Sequence, residues 1–204
     1  MIIGLTGVYC AGKNHVAAIL EKRGFPVLDV DKLGHLALET EKQKVFSQFG
    51  SGLEKSDGSL DKRLLGQLVF GNPEKLAALE AIVHPEANRL TEEWIAAQKG
   101  HCVVNAALLH KSSVFNRLNR IILVTAPFLT RVLRARRRDK LLWVEILKRF
   151  ASQKVFYNQY LVNANAIYAE IYRVKNPGLN KTSISGAQNQ KLECQIDKIL
   201  EGIV

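Results

Sequence analysis

The sequence predicts an α/β fold: a parallel β-sheet covered by helices on both faces. Three observations carry this. Short runs of strand character recur at residues 2–5, within 24–31, and at 101–105, 120–125 and 171–176. The segments between them carry apolar residues at helical spacing, and strands that alternate with helices form parallel sheets. The first twenty residues already read as strand, glycine-bearing turn and helix, the unit from which such sheets are built.

That first unit carries the chemistry. Ile2, Ile3 and Leu5 form a buried strand. The chain then turns through Gly7, Val8, Tyr9, Cys10, Ala11 and Gly12 to Lys13, and Val16, Ala17, Ile19 and Leu20 mark the inner face of a helix. A strand, Gly-x4-Gly-Lys and a helix make a phosphate-binding loop. Glycines let backbone N–H groups wrap a polyphosphate, the lysine adds a point charge, and the helix N-terminus aims its dipole at the anion. The pattern asks for Ser or Thr after the lysine, where a hydroxyl meets the Mg²⁺ of the nucleotide. Here that residue is Asn14, whose amide oxygen is also a hard donor. Cys10 inside the loop reads as a small filler rather than a nucleophile.

Composition narrows the class. With 204 residues and 47% hydrophobic content the chain is long enough for a full core. No apolar run approaches the roughly 20 residues that span a bilayer, so no membrane partner is expected. The N-terminus shows neither a basic segment nor a cleavage site of a signal peptide. Cys10, Cys102 and Cys194 are far apart, without a C-x-x-C, which suits a reducing cytoplasm rather than a disulfide framework or a zinc site. A net charge of +10 suits polyanionic ligands, whether nucleotides or nucleic acid.

Along the chain, Gly24 to Asp31 reads as a turn and a short strand with Asp29 and Asp31 at its C-terminal end, where ligands collect in open α/β sheets. Asp31 also suits the N-cap of a helix over 32–39. Residues 41–100 show no strong strand pattern and read as an all-helical insertion. It has an amphipathic stretch at 42–49, a turn at 56–59 and a helix over 60–70. Asn72-Pro73 then opens a helix that His84-Pro85 interrupts, and a further helix runs towards Gln98. Residues 112–118 link the third and fourth strands as a short helix. Ala126-Pro127 opens a helix carrying Arg131, Arg134, Arg136, Arg137 and Arg138, a density suited to a phosphate-gripping lid. A helix over 141–153, a last strand over 171–176, an exposed loop over 180–189 and a closing amphipathic helix through Leu192, Ile196, Ile199, Leu200 and Ile203 complete the reading.

These residues, nearly end to end, resemble the dephospho-CoA kinase family. Ile3-Gly-Leu-Thr-Gly with Gly12-Lys13 is similar to its phosphate loop, and Gly24-Phe-Pro-Val-Leu-Asp29-Val-Asp31-Lys32 to its second strand and paired aspartates. Asp57-Gly-Ser-Leu-Asp61 through Phe70, and Leu79-Glu-Ala-Ile-Val-His84-Pro85, resemble its acceptor-binding helices; these are more specific signals than a phosphate loop. Ala126-Pro127 through Arg134, Arg138 and Asp139, then Arg149 to Gln153, look like its lid, and Val174-Lys-Asn176-Pro-Gly178 like its last strand and turn.

The resemblance implies a single P-loop kinase-type domain. Its core would be 1–31, 101–126 and 171–204, its helical acceptor-binding insertion 32–100, and its Arg-rich lid 127–153. It implies transfer of the ATP γ-phosphoryl to the ribose 3′-hydroxyl of dephospho-CoA, with Mg²⁺ accompanying ATP. Asp31, Lys13 and Arg138 take the catalytic roles, Asp31 as the base facing the acceptor. Gly7, Val8, Tyr9, Cys10, Ala11, Gly12, Lys13, Asn14, His15, Arg134, Arg138 and Asn176 take ATP. Thr6, Asp31, Lys62, Arg63 and His84 take the acceptor, and Asn14 and Asp29 the metal.

The departures from the family pattern cluster. Asn14 replaces the hydroxyl residue. Asn105-Ala-Ala-Leu-Leu-His110-Lys111 stands where the pattern has Asp-Pro-Leu-Leu-Phe-Glu. Lys62 falls where it has arginine, beside Arg63. They bear on metal handling and acceptor geometry. Other functions compatible with the residues are a non-catalytic nucleotide or CoA binder and a kinase for another small acceptor. Aromatic residues are not interleaved with the arginines, which argues against nucleic acid as the partner. Nothing in the sequence speaks to oligomeric state.

Overall fold

The computed structural model describes residues 1–139, 143–151, 160, 169–178 and 186–203. Among the described residues five strands form one sheet: β1 Ile2–Gly7, β2 Val27–Asp29, β3 Cys102–Asn105, β4 Arg120–Thr125 and β5 Glu170–Lys175, in the order β2-β3-β1-β4-β5. β1 pairs parallel with β3 and with β4, and β4 pairs parallel with β5. Parallel strands need their faces covered, and the central ones are covered here. Ile3, Leu5, Val103, Val104 and Ile121 to Val124 are inaccessible to solvent. The edges are a three-residue strand and a strand bearing Glu170, Arg173 and Lys175, two ways of discouraging further pairing. β1 is central because its neighbours β3 and β4 come from opposite directions of winding, so the loop after β1 leaves the sheet at its ligand-collecting end.

The chain divides into two compact units, Met1–Leu28 with Gln98–Val204, and Asp29–Ala97. The first holds the sheet with α1 Lys13–Lys22, α6 Phe128–Asp139, α7 Trp143–Ala151 and α8 Gly186–Leu200; the second is all helical, with α2 Val30–Thr40, α3 Lys42–Phe49, α4 Lys62–Val69 and α5 Pro73–Ala96. The helical unit has its own core of Val45, Phe46, Leu53, Leu60, Leu65 and Val69, against which Leu38, Phe49, Leu68, Leu79 and Ile82 pack. Two of its helices start at capping side chains. Asp61 accepts from the Arg63 and Leu64 amides at 3.0 and 2.9 Å, and Asn72 from the Lys75 amide at 3.0 Å.

The structure corrects the sequence reading in several places. Pro85 does not interrupt a helix: α5 runs unbroken from Pro73 to Ala96. Proline removes one i→i−4 bond at about 3 kcal/mol, and α5 keeps buried contacts after that point through Ala87, Thr91 and Ile95. Asp31 is not an N-cap, because α2 begins at Val30; Asp29 takes the cap position without a side-chain capping bond. The stretch linking β3 and β4 is 3₁₀, over Leu109–Lys111 and Ser113–Arg117. α8 begins at Gly186, inside the segment expected to be a loop, and Asn189 donates to Glu193 one turn on at 2.8 Å. Of that expected loop, 180–185 lie outside the described residues, as do 141–142 and 152–153 of the expected helix over 141–153.

Ile121 lies in β4, inaccessible to solvent between β1 and β5. Ile121→Ala should lower unfolding free energy by about 2–5 kcal/mol, read from urea midpoints at constant m-value.

Candidate active site

The site begins where β1 ends. A Cβ on Gly7 would lie 2.8 Å from the Val124 carbonyl oxygen of β4, so only glycine lets the loop leave the sheet this close to its neighbour. Val8 is buried and its carbonyl accepts the Ala11 amide at 2.9 Å, which closes the turn. Cys10 has φ 59°, the left-handed region, and Gly12 has φ 91°. A Cβ on Gly12 would overlap the Asn176 amide nitrogen. Gly12 at the N-cap has no side chain to cap α1 and no acidic residue sits in its first turn, which suits the positive end of its dipole to an anion from outside. Lys13 is the first residue of that helix, and His15, a residue further than Asn14, bonds Asn189 of α8 at 3.1 Å.

The outer side of the loop is held by α6. Arg134 donates to the Cys10 and Ala11 carbonyls at 3.1 and 2.8 Å, and its other terminal nitrogen reaches the Asn176 carbonyl and side chain at 3.1 and 3.2 Å and the Gly178 carbonyl. Buried Asn176 donates to the Ala11 carbonyl at 3.0 Å. Burial pulls the Arg134 guanidinium below its ordinary range. It pushes the Cys10 thiol up, so that Cys10 is a packing residue among Val132, Ala135, Ile146 and Phe150. One turn further along α6, Arg138 bonds Asp139 through Nε at 2.6 Å and lies over the Tyr9 ring at 5.2 Å. The Arg138 bond and the Tyr9 hydroxyl hold the Asp139 carboxyl below the usual carboxylate range, against the opposing effect of burial.

On the sheet side, the Asn105 amide nitrogen at the end of β3 donates to the Asn14 side-chain oxygen at 3.4 Å. The Asn105 side-chain oxygen is buried without a hydrogen-bond partner among the described residues, and so is one carboxylate oxygen of Asp29 at the end of β2. The two oxygens belong to different units, Asn105 to the sheet unit and Asp29 to the start of the helical unit, and each by itself is the kind of donor that suits a hard, oxygen-seeking cation such as Mg²⁺. Among the described residues no cluster of three His, Cys, Asp or Glu side chains is arranged to hold a metal. Deeper in, the buried Thr6 hydroxyl lies 3.3 Å from the Tyr160 hydroxyl and 3.4 Å from the Ala107 carbonyl, alternative acceptors for its single proton, and His110 Nδ1 lies 3.1 Å from the Tyr160 hydroxyl.

The remaining sequence-predicted residues belong to the helical unit. Asp31 is exposed in the first turn of α2, Lys62 is paired with Glu39 at 3.6 Å, Arg63 follows it in α4, and His84 is half-buried in α5.

The dephospho-CoA kinase family profile matches residues 1–168. The chain belongs to the dephospho-CoA kinase family. It is 40% identical over 154 residues to the dephospho-CoA kinase of Thermus thermophilus, covering 75% of each chain. It is 33% identical over 195 residues to that of Shouchella clausii, covering 90% of this chain and 99% of the relative. A solved Thermus thermophilus structure superposes with TM-score 0.76 at 32% identity, covering 100% of this chain and 98% of that one.

Two features of the site have no clear signal in the sequence. Tyr160 lies outside any motif, in a stretch whose pattern is neither clearly amphipathic nor apolar. By sequence Tyr9 is simply one of the loop residues, whereas in the structure its hydroxyl donates to Asp139 and its ring meets Phe150 edge-on at 5.5 Å. An aromatic side chain in a loop that favours small residues was the available signal.

Burial, with the neighbouring Lys111 cation, pulls His110 below its ordinary pKa. The folded state therefore favours the neutral ring. As pH falls below about 6.5 the unfolded chain takes up the proton first, and stability declines until folded His110 is protonated too. Urea midpoints at pH 7.5 and 5.5 should differ in the wild type, and His110→Gln should reduce that difference.

Proposed function

We propose that this kinase transfers the γ-phosphoryl of ATP to the ribose 3′-hydroxyl of dephospho-CoA, giving CoA and ADP, as a cytoplasmic enzyme. The observation that carries the reading is the loop of residues 7–14 at the uncapped N-terminus of α1, braced from behind by Arg134 and Asn176, in a chain of this family. Phosphoryl transfer asks a protein for positioning and charge stabilisation rather than covalent chemistry. The loop amides and Lys13 hold the polyphosphate. Arg134 acts on the nucleotide through the loop, since its donors are on main-chain carbonyls. Arg138 stabilises the charge on the transferred group. Asp31 orients the acceptor hydroxyl and takes its proton as the new P–O bond forms and the bond to the ADP oxygen breaks. Thr6, Lys62, Arg63 and His84 take the acceptor. Among the described residues no helix is long and apolar enough to cross a membrane.

Asn14 and Asp29 are the residues that would hold Mg²⁺, which supplies charge neutralisation on the phosphates when bound with ATP. With Asn14 and Asn105 both neutral, the protein contributes few ligands, an arrangement Mg²⁺ accepts because it retains several waters.

The test is CoA formation from ATP and dephospho-CoA, with nucleoside monophosphates and shikimate as competing acceptors. CoA and ADP should appear in equal amounts. Asp31→Asn should lower kcat by about 10²–10⁴, the usual range for a positioned base, with ATP affinity by calorimetry unchanged. Faster turnover with another acceptor, or ATP binding without CoA formation, would overturn the reading.

A further inference from the structure

Tyr9 sits in the phosphate loop, yet its side chain faces the arginine helix. Its ring packs with the cluster of Cys10, Val132, Ala135, Ile146 and Phe150. Two guanidinium groups approach that ring, Arg138 at 5.2 Å and Arg149 at 5.7 Å. Its hydroxyl donates to Asp139, and the same carboxylate takes Arg138 through Nε at 2.6 Å and Nη2 at 3.1 Å, with Arg149 at 3.6 Å. Asp139 is only 15% exposed, whereas Arg138 is 61% exposed. An exposed arginine samples many rotamers, and a carboxylate next to it in sequence moves with the same helix. Asp139 alone therefore orients Arg138 on α6 without fixing it relative to the loop. The Tyr9 hydroxyl and ring supply that second attachment, one helical turn beyond the Arg134 brace.

We propose that Tyr9 is a positioning residue for phosphoryl transfer: through Asp139 and through its own ring, it holds the Arg138 guanidinium against the phosphate loop. This rests on the role proposed for Arg138. A charged group stabilises a loose, charge-spread transition state best when it is already in place, so no reorganisation accompanies the reaction. The bland alternative is that Tyr9 only fills the cluster around Phe150. The two differ in which atoms matter. Packing needs the ring or its volume, whereas positioning also needs the O–H donated to Asp139 and vanishes when Arg138 is absent.

The experiment is a double-mutant cycle of Tyr9→Phe, Tyr9→Leu and Arg138→Ala, read as kcat and KM for ATP, with thermal midpoints recorded for each variant. Tyr9→Phe, which keeps the ring, should lower kcat by about threefold or more with KM for ATP and the midpoint little changed. Tyr9→Leu should lower it by about tenfold, the factor for roughly 1.4 kcal/mol. In the Arg138→Ala background neither substitution should lower kcat further. Losses that add to that of Arg138→Ala, full kcat in both Tyr9 variants, or full kcat in Arg138→Ala would each overturn the proposal. A second readout is independent of turnover: the gain in ADP affinity on adding aluminium fluoride, a mimic of the transferred group. Tyr9→Phe and Arg138→Ala should reduce that gain without adding to one another, and independent reductions would overturn the proposal. A wild-type protein that forms no CoA would sink the reading of the reaction, while the fluoride-dependent gain would still decide the role of Tyr9.

Discussion

The arrangement on which the site depends is the grip of Arg134 on main-chain carbonyls of the phosphate loop. The Cys10 and Ala11 carbonyls both point at its guanidinium, and Asn176 takes the Ala11 carbonyl as well. A trans peptide is planar, so turning the Ala11 carbonyl outward turns the Gly12 N–H the opposite way. The cation behind the loop thus sets the direction of the donors in front of it. The same contact explains why a partly buried arginine is tolerated: each terminal nitrogen is spent on carbonyl oxygens, and hydrogen bonds to a charged group offset desolvation.

This brace also accounts for a conformation that the residue type does not favour. Left-handed backbone costs a residue bearing Cβ on the order of 1–2 kcal/mol, and Cys10 adopts it. Its thiol is buried against Val132, Ala135, Ile146 and Phe150 while its carbonyl is held by Arg134, so the α6 and α7 helices overdetermine the bend. Loop and arginine helix are thereby one structure rather than a cradle with a separate cover. Arg134 and Arg138, four residues apart, share the face of α6 towards the loop, whereas Arg136 stacks over Trp143.

How far the sequence could be read follows from what each signal reports. The unit β1, loop and α1 was legible because Gly7, Gly12 and Lys13 mark a local backbone shape that few sequences share. The central strands were legible because Val103, Val104 and Ile121 to Val124 are continuously apolar, as strands buried on both faces must be. Local rules failed where tertiary packing prevailed. Pro85 reads as a stop, but the residues beyond it bury their own face of α5. Asp31 reads as a cap, but Val30 is already helical. The contact between Asn14 and Asn105 joins residues 91 positions apart, and no spacing rule brings two such amides together. Tyr9 and Asp139 are likewise joined across 130 positions, so each was legible only as a member of its own motif.

The most direct measurement of this account is amide hydrogen exchange of residues 8–15 in the nucleotide-free protein, comparing wild type with Arg134→Met, which keeps most of the apolar stem. If the guanidinium sets the loop, exchange there should accelerate by at least about tenfold, the factor for roughly 1.4 kcal/mol, while the central strands keep their protection. Unchanged exchange in the loop, with ATP affinity lost, would contradict it and make Arg134 a direct phosphate ligand instead.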